Sequence, residues 1–271
     1  MAIFSWVKKF SQLSLMVGAA AAVIGVTVPT HAYTIFFGED LNNSPNIPLR
    51  SFPNPQTAEA NFLSRLTNTG IETFESFTPT TGGRLTLTSQ SGIAATLHGS
   101  GSIVSVPPGT TNGLGRYSIY GRNFWEANAD WGQFWITFNQ TVAAFGFYGI
   151  DIGDFGGQLV LNLGGGRMTQ LTVPNTIGRT GSTDGSVLYF GIIADNREEY
   201  FTSILFNMST GQGDVFAFDN MTFGSIEEVI PSDVSIGEPK VAIPESSSVF
   251  GAIALGAIGA TSLLLRQRQR R

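Results

Sequence analysis

The chain has 271 residues, 33 of them Gly and 21 Phe, with no Cys and only 13% charged side chains. That length allows one large or two small domains. The lack of Cys excludes a disulfide scaffold, a Cys-based zinc site and a thiol nucleophile, and two His (His31 and His98) are too few for a multi-histidine metal centre. The formal net charge is −5, but the body from Tyr33 to Ser248 carries 9 basic and 20 acidic side chains. It therefore lacks the basic face that phosphate backbones need, and nucleic acid is excluded as a partner.

Residues 1–32 read as a signal peptide. Lys8 and Lys9 precede an apolar run over 13–28, Pro29 breaks it, and Thr30-His31-Ala32 supplies the small residues a signal peptidase accepts. The cut falls between Ala32 and Tyr33, and an uncleaved N-terminal anchor is the alternative. Residues 33–70 form an N-terminal segment with a strand start, an Asn- and Pro-rich loop and one helix. Asn54 is placed as the helix cap and Pro55 at its first position. Phe62, Leu63 and Leu66 form its apolar stripe, and Asn68-Thr69-Gly70 ends it.

From 71 to 225 the period changes to two. Residues 84–88, 134–138 and 159–163 alternate apolar and polar, and 143–150, 168–173, 187–193, 201–208 and 215–223 are further strands. Weaker candidates are 93–97, 103–106 and 117–120. Gly- and Pro-rich turns separate them. Many short strands without intervening helices predict a mainly β protein, an antiparallel β-sandwich of jelly-roll type. Gly146, Gly149 and Gly191 lie inside apolar strands, where glycine marks a bulge or a close backbone approach. Trp125 and Trp131 are placed in an irregular, exposed stretch, as candidates for stacking on sugar rings.

Residues 226–242 lose periodicity and suit a flexible stalk. The tail, 243–271, begins Ile243-Pro244-Glu245-Ser246, continues with an apolar stretch over 249–265 and ends in Arg266, Arg268, Arg270 and Arg271. The apolar stretch is just long enough for a transmembrane helix in a thin bilayer, and the arginines hold its end in the cytoplasm, so the body faces out. This order of short Pro-Glu motif, hydrophobic helix and terminal Arg cluster resembles the PEP-CTERM sorting signal of Gram-negative bacteria. The resemblance implies an exosortase as partner, cutting near Pro244 and Glu245 and passing the body to the cell surface or extracellular polymer. Ser246 stands where that family usually has a second proline. A permanent membrane anchor without sorting is the alternative.

Candidate chemistry rests on carboxylates. The runs 144–151 and 216–224 look like the two ends of the β-sandwich ectodomain common in such exported proteins. The Phe-Glu start at Phe74-Glu75 and the Asp-Asn finish at Asp219-Asn220 are similar to jelly-roll carbohydrate-binding modules. That resemblance implies a structural calcium shared by Glu75 and Asp219, with Asp214 a further ligand candidate; Asp151 and Asp154 are a separate possibility. Glycosidase-like pairs would be Glu126 with Asp130 or Asp151 with Asp154. No G-x-S-x-G elbow or P-loop is present, and His98 reads as structural. The expectation is therefore an exported, non-enzymatic binding or matrix protein of an exopolysaccharide layer or biofilm. A secreted polysaccharide hydrolase or lyase on the same fold, or an anchored structural subunit without a ligand, is the alternative.

Overall fold

A computed structural model describes residues 33–231 except 130–131, 166–167, 180–182 and 211–213. The expected signal peptide with Ala32, the tail with Pro244, Glu245 and Ser246, Trp131 and Asp130 all lie outside the described residues. No helix among the described residues is long and apolar enough to cross a membrane.

The described residues are mainly β, with two antiparallel six-stranded sheets and one α-helix. In chain order the elements are β1 (Tyr33–Asp40), α1 (Pro53–Leu63), β2 (Leu85–Thr88), β3 (Ala94–Gly99), β4 (Gly101–Ser105), β5 (Asn123–Asn128), β6 (Phe134–Val142), β7 (Ala144–Ile150), β8 (Leu159–Gly165), β9 (Thr169–Thr172), β10 (Val187–Ala194), β11 (Phe201–Met208) and β12 (Val215–Gly224). One sheet runs β1-β10-β7-β12-β5-β4 and the other β2-β3-β6-β11-β8-β9. From β5 to β12 the chain changes sheet at every step but one, the β8–β9 hairpin.

Side chains from the two inner faces interlock as an aromatic core. Phe134 stacks on Phe206 at 4.6 Å, and Phe206 meets Phe147 and Phe218 edge-on at 5.8 and 5.4 Å. The sheets differ in their outer faces. The outer face of the first carries Tyr148, Tyr189, Phe124 and Ala217, packed together with Phe62 of α1 and Tyr117 of the 106–122 loop in a second apolar cluster. Its central strands β7 and β10 are consequently buried along their whole length. The outer face of the second sheet meets solvent, and its strands alternate buried and open positions, as in β2 and the first half of β6.

Several expectations need correction. The helix starts at Pro53, and its cap residue is Phe52, which makes no side-chain cap bond. Asn54 does not cap it; the Asp40 carboxylate at the end of β1 takes the Asn54 backbone N–H at 3.0 Å and its side-chain amide at 2.6 Å. That carboxylate satisfies a first-turn N–H that has no partner within the helix. Residues 117–120 are not a strand. They belong to the covering loop, and the neighbouring 123–128, which sequence periodicity left irregular, form β5. The start of the expected stalk is docked: Ile226–Glu228 form a 3-10 turn, Val229 bridges Leu66, and Ile230 N–H donates to the Arg65 carbonyl at 2.9 Å. Residues 33–70 are equally part of the sandwich, since β1 pairs with β10 from Tyr33↔Ala194 to Asp40↔Val187.

Candidate functional site

The sequence grouped Glu75, Asp219 and Asp214. The structure splits them. Asp219 lies wholly buried in β12. Its Oδ2 accepts the Ile119 and Tyr120 N–H groups at 2.7 and 3.3 Å, and Oδ1 accepts Asn220 N–H at 2.8 Å. Glu75 Oε1 accepts the N–H groups of Arg122 and Asn123 at 2.8 and 2.6 Å. The two acids lie near enough that Glu75 adds to the rise which burial imposes on the Asp219 carboxyl. Together they pin residues 119–123, where the covering loop runs into β5. Backbone N–H groups already point at these oxygens, and donors in that orientation repel a cation.

Trp125 faces the core of the sandwich with no exposure, its ring 6.3 Å from Phe134. In-register pairing of β5 with β4 and β12 turns it inward, so it cannot stack on a sugar. Tyr33 is buried at the start of β1, its hydroxyl donating to the Glu199 carbonyl.

Asp214 instead joins Asp151, Asp154 and Asp184. Asp151 follows β7 with φ at 68°, a left-handed conformation that Asp tolerates. Asp154 lies on the turn after it, Asp184 on the turn before β10, and Asp214 next to the start of β12. These strands are neighbours in the order β10-β7-β12, so pairing brings together four acids spread over more than sixty positions. One carboxylate oxygen from each of Asp151, Asp154 and Asp184 lies within 4.8 Å of the others.

Arg116 answers one of them. Arg116, on the covering loop, places Nη1 3.2 Å from Asp151 Oδ2, but shares its charge with Glu126, 2.7 Å from Nε. Gly115 makes this approach possible, since a Cβ there would stand 2.4 Å from Asp151 Oδ1. Asp151 Oδ1 also accepts Gly185 N–H at 3.0 Å. Burial above all, then Asp154, raises Asp151 to about 7 against the opposing pull of Gly185 N–H and Arg116. Burial, and then the facing carboxyl of Asp154, raises Asp214 to about 8. A proton shared between Asp154 and Asp214 would join them; as ionised groups, Asp154 Oδ1 and Asp214 Oδ2 are buried and accept no hydrogen bond. Thr183, 1% exposed, has an Oγ1 that is also without a partner.

A second feature was missed from sequence. None of the six strands of the solvent-facing sheet contains Asp, Glu, Lys or Arg. Registers align His98, Trp135, Leu205, Asn162 and Gln170 in one row across β3, β6, β11, β8 and β9. Thr86, Thr96, Thr137 and Ser203 form the adjoining row. The Trp135 ring, 37% exposed, lies flat against His98 at 5.1 Å and 3°. His98 Nε2 meets Thr137 Oγ1 at 2.8 Å. Burial, aided by Arg84, lowers the His98 imidazole below its usual value, which keeps it neutral at pH 7. Period-two alternation with Trp135 on the polar side was the available signal. The exposed ring is Trp135 on β6 rather than Trp125, which was expected in the stretch before it.

No protein-family model and no curated protein matches the chain. Among solved structures it is similar to the crystal structure of the K2 cleaved adhesin domain of Lys-gingipain. The two share 14% identity over 57% of this chain and 97% of that one, with a TM-score of 0.33. At that identity and score the likeness assigns neither a family nor an activity to this chain.

Proposed function

We propose that this chain is an exported, surface-displayed binding protein, without catalytic activity, whose uncharged outer sheet face takes a neutral extracellular polysaccharide. The carrying observation is that face. In a body of strong negative charge, one whole sheet is free of ionised side chains and presents a half-exposed Trp beside rows of hydroxyls and amides. Hydroxyl and amide groups exchange hydrogen bonds with neutral sugars, and an aromatic face covers the apolar side of a pyranose ring. The connectivity, changing sheets at nearly every step from β5 onward, we read as jelly-roll type.

The address rests on the sequence ends. Signal peptidase cutting before Tyr33, membrane arrest through 249–265 and exosortase cutting near Glu245 would leave the sandwich at the surface or in the matrix. What favours binding over hydrolysis is where the acids lie. Asp151 of the Asp151–Asp154 pair is buried beside Arg116 rather than lining a cleft. Five surface concavities, of 140 to 570 Å³, carry one carboxylate each, namely Asp195, Glu227, Glu39, Glu126 and Glu72. A glycosidase needs two.

The test is a glycan array with the purified chain and its Trp135→Ala variant, beside intact-mass analysis of protein recovered from its cells. Binding to uncharged glycans that the variant loses while keeping its melting temperature is the expected result. Binding that survives Trp135→Ala, or a blank array, overturns the assigned face. An intact N-terminus and tail in protein from the cytosol overturn the export reading.

A further inference from the structure

The geometry points to a calcium site at the end of the covered sheet, built from Asp151, Asp154, Asp184 and Asp214 with Thr183, that fastens the ends of β7, β10 and β12 together. It is independent of the polysaccharide face, which belongs to the other sheet.

Four acids gathered here, with Arg116 pairing with Asp151 but shared with Glu126, leave a deficit of positive charge. Burying like charges without a counter-ion costs several kcal/mol per group. Surface acids ordinarily escape by turning to water. Here Asp151 is 3% exposed and Asp154 Oδ1 and Asp214 Oδ2 are shut off from solvent. The independent sign of a missing ligand is Thr183. It is 1% exposed, and its hydroxyl oxygen has no partner. That oxygen lies 3.4 Å from where a Cβ on Gly153 would stand, so it points at the Asp151–Asp154 turn. A buried hydroxyl oxygen without a partner, turned toward a turn that carries two of the four acids, is an acceptor lacking its cation.

The donor set selects the ion. All are hard oxygens, with no His or Cys among them, which favours calcium or magnesium over zinc and copper. Calcium binds at about 2.3–2.6 Å, so oxygens on opposite sides of one ion stand up to about 5 Å apart. The three carboxylate oxygens within 4.8 Å of one another fall inside that span. Calcium also accepts the irregular set that three separate loops provide, where magnesium demands a near-octahedral one. Asp151 would be the inner ligand, already oriented by Gly185 N–H and Arg116, and Asp184 the outer one.

The experiment uses the purified full chain after chelation. Calcium is titrated by calorimetry, and the melting temperature is followed in chelator, calcium and magnesium. Calcium should bind with about one ion per chain, and at 100 times its dissociation constant should raise the melting temperature by roughly 5 °C. Asp184→Asn, at the outer edge where folding is least disturbed, should weaken binding at least about tenfold, as loss of a charged ligand does. Asp214→Asn should abolish the calcium-dependent rise and yet leave the chelated protein at least as stable as the parent, because an amide facing Asp154 brings no second charge. A merely structural role for Asp214 would lower stability with and without the ion. No heat and no thermal shift at millimolar calcium overturn the site. So does a rise that survives both variants, or one lost in Glu75→Gln alone, which would put the ion at the loop-pinning acids. An equal response to magnesium overturns the choice of calcium.

Discussion

Phe62 is the contact through which α1 covers the first sheet, and its seat is carved out of the sheet itself. The ring is fully buried, 5.6 Å from Phe36 and 5.9 Å from Tyr189. Beneath it Gly146 and Gly191 face each other across β7 and β10. A Cβ at Gly191 would stand 2.8 Å from Phe62 Cδ2, and one at Gly146 would stand 2.9 Å from Cε1. Neither glycine has a positive φ, so both are there for space rather than for backbone freedom. Phe62→Ala should cost about 3–5 kcal/mol, since it removes a wholly buried ring and leaves a hollow over two glycines. Gly191→Ala alone should cost about 1–3 kcal/mol, because the added methyl drives the ring off its seat. Combined, the two changes should cost less than their sum by about 0.5–3 kcal/mol, as the methyl enters the space the ring vacated. Urea unfolding of the four proteins, followed by circular dichroism, gives that coupling energy. Additive costs would refute the interlocking, and a stabilising Gly191→Ala would refute the close approach.

Three further outcomes are expected. Asp40→Ala removes the carboxylate that takes the first-turn N–H of α1, and should cost about 1 kcal/mol, read as a fall of about 2–4 °C in melting temperature; an unchanged value would mean that water replaces the bond without loss. Trp125→Ala should destabilise the fold by about 3–5 kcal/mol while glycan binding per folded molecule stays the same, because the ring lies in the core; selective loss of binding would return it to the ligand face. In chelator, stability should fall as pH rises from about 4 to 8: Asp151, raised from 3.8 to about 7, and Asp214, raised to about 8, hold protons in the folded state that the unfolded chain has released. The contribution of Asp151, of order 4 kcal/mol, is complete below its unfolded value and gone once pH passes its folded one. Melting curves across that range check it, and a curve that rises with pH would contradict the direction.

The difference between the two sheets was written in the sequence. The alternating runs at 84–88, 134–138 and 159–163 all fall in the sheet that faces solvent. The apolar runs at 143–150 and 187–193, and the mainly apolar run at 215–223, all fall in the sheet covered on both sides. One buried face produces alternation, and two produce continuity. Strand β5 escaped because Asn-Phe-Trp-Glu-Ala-Asn keeps neither pattern: Phe124 turns to the outer cluster and Trp125 to the core. Trp125, expected to be exposed, therefore lies in the core, and Trp135 is the half-exposed ring. The acidic group was half legible. Asp151 and Asp154 are three positions apart, and sequence alone pairs them. Asp184 and Asp214 reach them only through the order β10-β7-β12, and no local pattern encodes that order.

These features divide the work of the molecule between its two sheets. The covered sheet carries all the strand carboxylates, the helix, the loop pinned by Glu75 and Asp219, and the aspartate group at its end. Substitutions there strike packing on both faces and register as lost stability. The open sheet buries one face only, so its outward Thr, Asn, Gln and Trp positions contribute little to folding and are free to follow a ligand. A long open sheet without charge normally invites edge-to-edge pairing, which natural proteins resist with charged edges. Here the edges β2 and β9 are short, four residues each, and rich in Thr. Replacing Thr86 and Thr172 by Lys tests whether neutrality serves a ligand or is incidental. If the face meets a neutral polymer, the two lysines should leave the melting temperature unchanged and weaken polymer binding. If binding is unaffected, neutrality is not what the face is built for, and recognition lies elsewhere on the sandwich.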